Sequence, residues 1–295
     1  MIQIHLAVFL WGFTAIFGKL ISIDTLGLVF LRMSLAALFY LLLKRTWVGL
    51  KKLKRHQVLK LLLIGSLICI HWLCFYQSVK EYNSASIVLI CLGTGPMFVI
   101  WLEYLLKIKK KLSLQNVLIG LFAIIGMCFL VNSNESNTPN TIGAYEWAIT
   151  YGVLAAFFAA VFTIMNSKVS NEIEPATISF VEMLSGGICL FIYHSLFNDF
   201  DFLWTISQKD LVYTLVLSLV CTNVPFLLSI YSLKKLDAFI VTLSVNLEPI
   251  YGLIFAGIIF NEHSNFNLTF YIGASLILVS VFLPIIFGKW KKRKA

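Results

Sequence analysis

Apolar residues run along this chain in ten long stretches, with polar and charged residues confined to the short segments between them. The stretches lie near 3–22, 27–43, 58–79, 84–106, 112–131, 142–167, 176–197, 210–232, 237–260 and 267–288. Each is about 20 residues long, enough for a helix to cross about 30 Å of hydrocarbon. Lipid cannot satisfy exposed backbone groups, so the spans must be helical. The expected fold class is all-α, a polytopic membrane protein of ten transmembrane helices with no appended soluble domain.

The stretches repeat. With Pro96 aligned on Pro249, a shift of 153 positions, Ala85, Ile87, Val88, Gly120, Ile124, Phe129 and Leu130 fall on Ala238, Ile240, Val241, Gly273, Ile277, Phe282 and Leu283. Nearer each start, with a slightly smaller shift, Phe13-Thr14 and Lys19 lie over Phe162-Thr163 and Lys168, and Phe30 to Met33 over Phe180 to Met183. A unit of five spans begins on one side of the membrane and ends on the other, so its duplicate must insert upside down. The reading is two inverted five-helix repeats, 1–133 and 142–288, with an external linker at 134–141 and a basic tail at 289–295. Inverted repeats are the usual framework of secondary transporters.

Composition removes a soluble alternative: hydrophobic residues make up 59% and mean hydropathy is +0.89, whereas soluble domains are about half apolar. The net charge of +9 raises the question of nucleic acid, and its placement answers no. Lys44 to Lys60, Lys107 to Lys111, Lys168, Lys234, Lys235 and the tail hold nineteen of the 23 basic residues, all in segments on one side if the N-terminus is inside. That asymmetry orients both termini to the cytoplasm. The six cysteines (69, 74, 91, 128, 189 and 221) fall within spans at no metal or disulfide spacing. Residues 1–22 lack a basic n-region and a cleavage site, and read as a retained span.

Several local patterns together resemble the drug/metabolite transporter superfamily and, within it, the ten-span EamA-type exporters. They are Trp11-Gly12 and Phe17-Gly18-Lys19 in span one, Phe30-Leu31-Arg32 in span two, Pro96 in span four, Glu248-Pro249 and Asn261-Glu262 in span nine, and Gly120 and Gly273 in the fifth helix of each repeat. One departure is Lys109, which stands where the second copy has Glu262. The resemblance implies a central cavity lined mainly by spans 1, 3, 4, 6, 8 and 9, with spans 5 and 10 outside it. It also implies a bacterial inner membrane location and export of amino acids, other small metabolites or toxic organic compounds.

Glu248 lies 11 residues into span nine, about 16 Å from the inner face and so near the midplane. His71, Asn223, Pro96, Asn246 and Thr94 share that depth, with Trp11, Thr14, Trp72, Phe75 and Tyr76 within two turns. An ionisable group at mid-membrane persists mainly where it faces a cavity or a partner. Pro249 in span nine and Gly93-Thr94-Gly95-Pro96 in span four mark the interruptions that line binding sites in such folds. Packing explains these residues too: an interior carboxylic acid fixing two helices, a satisfied core histidine, and asparagines joining helices. Lys19 and Arg32 are gate candidates; both also read as anchors, Arg32 reaching outward along its stem.

The reading is a secondary-active exporter of amino acids or related small metabolites and organic cations. Glu248 would meet a cationic group or a coupling proton, because low-dielectric surroundings disfavour the charged form of a carboxyl group. No cofactor or metal is expected. The expected partners are a small-molecule substrate and the lipid bilayer, in a monomer or homodimer. A facilitator of anionic metabolites ranks second, because the central layer offers only His71 as a cation. A lipid enzyme ranks lower: the acidic residues are scattered and no HExxH or nucleophile-elbow motif occurs. No filter-like segment suggests a channel.

Overall fold

In the computed structural model, residues 2–81, 85–109, 111–132, 144–197, 199–259 and 267–293 are described. The expected linker at 134–141 and the Asn261-Glu262 motif fall outside them. Among the described residues all regular structure is helical.

The first half comprises α1 (Ile2–Trp11), α2 (Thr14–Leu20), α3 (Thr25–Leu41), α4 (Lys44–Leu50), α5 (Arg55–Glu81), α6 (Ala85–Leu92), α7 (Gly95–Leu105) and α8 (Leu114–Asn132). The second comprises α9 (Ala144–Val169), α10 (Pro175–Phe197), α11 (Asp201–Thr205), α12 (Gln208–Ser218), a π-helical turn at Leu219–Asn223, α13 (Val224–Leu233), α14 (Ala238–Val245), α15 (Glu248–Ile259) and α16 (Leu268–Arg293). Among the described residues, five helical segments are long and apolar enough to cross a membrane by themselves: Ile2–Leu20, Arg55–Lys80, Glu146–Val169, Pro175–Phe197 and Gln208–Leu233. The stretches expected as spans two, four and nine form shorter or interrupted helices.

Local chemistry explains the ends and breaks. Asp24 caps α3, its carboxylate accepting from the backbone N–H groups of Leu26 and Gly27, donors that would otherwise be orphaned. Pro96 and Pro249 fall in the first turn of a resumed helix, α7 and α15 respectively, where no intrahelical N–H is needed. Pro225 follows the π-turn inside the continuous helix Gln208–Leu233, where its missing N–H leaves the Cys221 carbonyl without its usual donor. Span one breaks as well, at Gly12-Phe13, although nothing in the sequence reading separated it. The loop expected after span two contains α4 instead, turned 89° from α3. Thr46 Oγ1 donates to the Tyr40 carbonyl at 2.7 Å and Trp47 Nε1 to that of Leu41 at 2.8 Å, satisfying the acceptors that α3 leaves at its end. With Trp47 and Val48 exposed beside Lys44 and Arg45, α4 has the composition of a helix lying in the membrane interface. Helix α11 is a second element within an expected loop, and α16 stays helical past 288 to Arg293.

The packing pairs are preserved when the two halves are exchanged. Helix α5 lies along α9, and α13 along α1; α6 and α7 meet α9, and α14 and α15 meet α1. Helix α5 also meets α10, as α3 meets α12; α3 with α10 and α8 with α16 join equivalent helices, and α7 with α14 exchanges for α15 with α6. Buried hydroxyls turn back onto their own helices, as when Ser232 donates to Leu228 O at 2.8 Å and Ser244 to Ile240 O at 2.8 Å. Arg32 ranks among the largest fully buried side chains of this apolar interior.

Candidate functional site

Interruptions in three spans meet at one internal cavity. Its volume is about 80 Å³, room for several waters. Trp11 and Thr14 reach it from the break in span one, Leu92 and Gly95 from that in span four, and Val245 and Glu248 from that in span nine. The remaining wall comes from Arg32 on α3; His71, Trp72 and Phe75 on α5; Ala159, Phe162, Thr163 and Asn166 on α9; Phe226, Ser229, Ile230 and Leu233 on α13; and Val241 and Thr242 on α14.

Glu248 opens α15 and is 5% exposed. Its Oε1 lies 3.0 Å from Thr14 Oγ1, which is also 2.6 Å from the Trp11 carbonyl. A hydroxyl has one proton and a carbonyl can only accept. An ionised Glu248 therefore draws the Thr14 proton away from Trp11. A protonated Glu248 donates to Thr14, which then caps Trp11. The charge on the carboxyl group is linked in this way to the backbone at the break of span one.

Arg32 departs from the outward orientation expected of it. It is 1% exposed and turned into the bundle. Nε donates to Thr222 Oγ1 at 2.7 Å, Nη1 to the Tyr76 hydroxyl at 2.6 Å, and Nη2 reaches the Cys221 carbonyl at 3.5 Å. The guanidinium carbon lies 3.9 Å from the centroid of the Trp72 ring, within cation–π range. Because α3 packs on α12 and the π-turn, a short inward path was available, and these acceptors engage three of its five N–H groups. Ion pairs among the described residues are Arg45–Glu174, Lys109–Glu103 and Lys109–Asp237. None neutralises Arg32, and the central layer thus contains a cation that the sequence reading did not count there.

His71 Nδ1 lies 2.7 Å from the Ala155 carbonyl, so that nitrogen carries the proton and Nε2 is an acceptor in the neutral ring. The remaining candidates do not line the cavity. Tyr76 bonds Arg32. Asn223 Nδ2 donates to Ala36 O at 3.3 Å, joining α13's cap to α3, and Thr94 Oγ1 donates to Cys91 O at 2.6 Å at the span-four break. Asn246 is 1% exposed with both amide atoms unpartnered. Gly93 and Pro96 are buried in the break, Pro249 is in the first turn of α15, and Lys19 is exposed in the last turn of α2. Thr163, Asn166, Ser229 and Thr242 were not anticipated. The repeat contained a signal for one of them, since Thr163 is the counterpart of Thr14. Among the described residues no group of three or more metal-ligating side chains comes together.

The sequence profile of the EamA-like transporter family matches residues 1–132 and 146–286. An uncharacterized transporter, YxxF, of Bacillus subtilis (strain 168) is 24% identical over 262 residues, spanning 86% of this chain and 79% of its own. An uncharacterized transporter of Archaeoglobus fulgidus is 24% identical over 285 residues, 95% of this chain and 94% of its own. A solved crystal structure superposes with a TM-score of 0.74 at 13% identity, covering 98% of this chain and 96% of its own, a likeness of fold alone.

Proposed function

Because the chain belongs to the EamA-like transporter family, a family of membrane transporters, we propose that it works by alternating access, as two inverted five-helix repeats rocking about the central cavity. The carrying observation is the buried Glu248 at that cavity, hydrogen-bonded to the break of span one. Packing that survives exchange of the halves supports the repeat reading, and a discontinuous-helix site between repeats is the usual place for cargo in secondary transporters.

The proposed cargo is an amino acid or a related small metabolite or organic cation, exported across a bacterial inner membrane with both termini in the cytoplasm. Glu248 receives either the cargo's cationic group or a coupling proton, whose arrival reverses the direction of its hydrogen bond with the Thr14 hydroxyl. The proposed unit is a monomer or homodimer in the lipid bilayer. A second reading, transport of anionic metabolites, draws support from the position of Arg32 in the cavity.

Purified protein in proteoliposomes, loaded with a panel of radiolabelled amino acids and given a pH gradient, tests the proposal. Glu248→Gln is expected to abolish gradient-driven movement while retaining the wild-type elution profile and helical content. Unchanged transport and pH dependence in that variant would remove Glu248 from the mechanism.

A further inference from the structure

We propose that Arg32 is the anion-binding half of the cargo site and that it selects molecules bearing a carboxylate. The inference rests on the transport reading and narrows it: with Glu248 in the same cavity, the best-matched cargo is a zwitterion, its ammonium at Glu248 and its carboxylate at Arg32.

Proton inventory leads to this conclusion. A guanidinium has five N–H donors, and the three contacts to Thr222, Tyr76 and Cys221 leave one N–H on each terminal nitrogen. Arg32 lines the cavity, so those donors have water or cargo within reach. Its direct partners are all neutral hydroxyls, a carbonyl or an aromatic face. Among the described residues, Glu248 is the one acid lining the cavity whose charge acts on it, and a cargo ammonium would take up that charge. A buried cation without an anion is strongly unfavourable, and a planar two-donor edge is the arrangement that fits a carboxylate.

The surroundings are built to hold Arg32 in place. Thr222 Oγ1 donates to the carbonyl of Leu217, five residues earlier, at 2.8 Å. Its lone pair is therefore left for Arg32 Nε. That spacing belongs to the π-turn at Leu219–Asn223, a feature frequent at functional sites. The turn is fastened to α3 by the Tyr40 hydroxyl, which donates to Asn223 O at 2.8 Å. A phosphate ester, by contrast, carries more negative charge than one guanidinium balances, and here it would face Glu248 as well.

The test uses thermal unfolding of the purified full-length protein with the twenty common L-amino acids. Each compound that stabilises it is compared with its amide, its decarboxylated amine and a phosphate monoester of similar size. Wild type is expected to bind at least one amino acid about tenfold or more tightly than the amide and amine, the usual effect of losing a charge-assisted hydrogen bond. Arg32→Gln is expected to erase the difference. Arg32→Lys, which keeps the charge and lacks the planar fork, is expected to reduce it severalfold. Because that variant keeps a cation at this position, the inference remains testable if Arg32→Gln does not fold.

Stabilisation by amides or amines equal to that by the acids would overturn the assignment. So would tighter binding of the phosphate esters, wild-type discrimination in Arg32→Lys, or no stabilisation by any amino acid. Carboxylate-selective binding without movement into proteoliposomes would instead count against the transport reading alone. Movement of amines and amides that Arg32→Lys leaves unaffected would count against Arg32 alone.

Discussion

Thr14 faces two acceptors, the Trp11 carbonyl and Glu248 Oε1, with a single proton to give. Thr14→Val removes that proton and should slow gradient-driven transport roughly tenfold, the effect of about 1.4 kcal/mol, in the range of a hydrogen bond to a charged group. Thr14→Ser should restore it. A valine variant moving cargo at the wild-type rate would show that the contact has no role. At this scale the sequence was informative about depth and poor about direction. Glu248 stood out because a carboxyl group at mid-membrane is rare without a cavity or partner. Arg32 was misread, because distance from a span's end suggested outward reach. Its acceptors, Thr222 and Cys221, lie 190 and 189 positions away along the chain, so no local pattern could announce them. Asn223 and Tyr76, expected at the central layer, contact neighbouring helices rather than line the cavity.

The breaks matter most at the level of elements. Proline and glycine foretold those in spans four and nine. Span one was read as continuous because its break rests on tertiary contact. A Cβ on Gly12 would lie 2.8 Å from Tyr251 Cβ and 3.2 Å from Phe255 Cε2; only glycine lets that turn press on α15. Gly12→Ala is therefore expected to destabilise by about 1–3 kcal/mol, as overpacking does, lowering the melting temperature in detergent and impairing transport together. Gly120→Ala makes a useful contrast: its new methyl would meet only Met97, Sδ at 2.7 Å and Cγ at 3.3 Å, a flexible side chain able to move aside. Equal melting temperatures for the two variants would contradict the argument. The interfacial helix α4 was missed for a related reason. Seven residues of mixed character have too little periodicity to stand out, and their helical state depends on packing and on capping α3.

For the whole molecule, the apolar stretches made the all-α membrane fold legible, and the internal repeat suggested how its halves relate. The closeness of the interruptions in spans one, four and nine was not legible, since it depends on how α1, α7, α9 and α14 pack. The central claim is that one cavity opens in turn to each side of the membrane. Ser229 lines it, and the six native cysteines are free and can be replaced. The direct measurement is labelling of a single cysteine at position 229 by a membrane-impermeant maleimide, applied separately to inside-out and right-side-out vesicles. Alternating access predicts labelling from both faces, slowed by transported cargo. Labelling from one face only, or from neither, would contradict it.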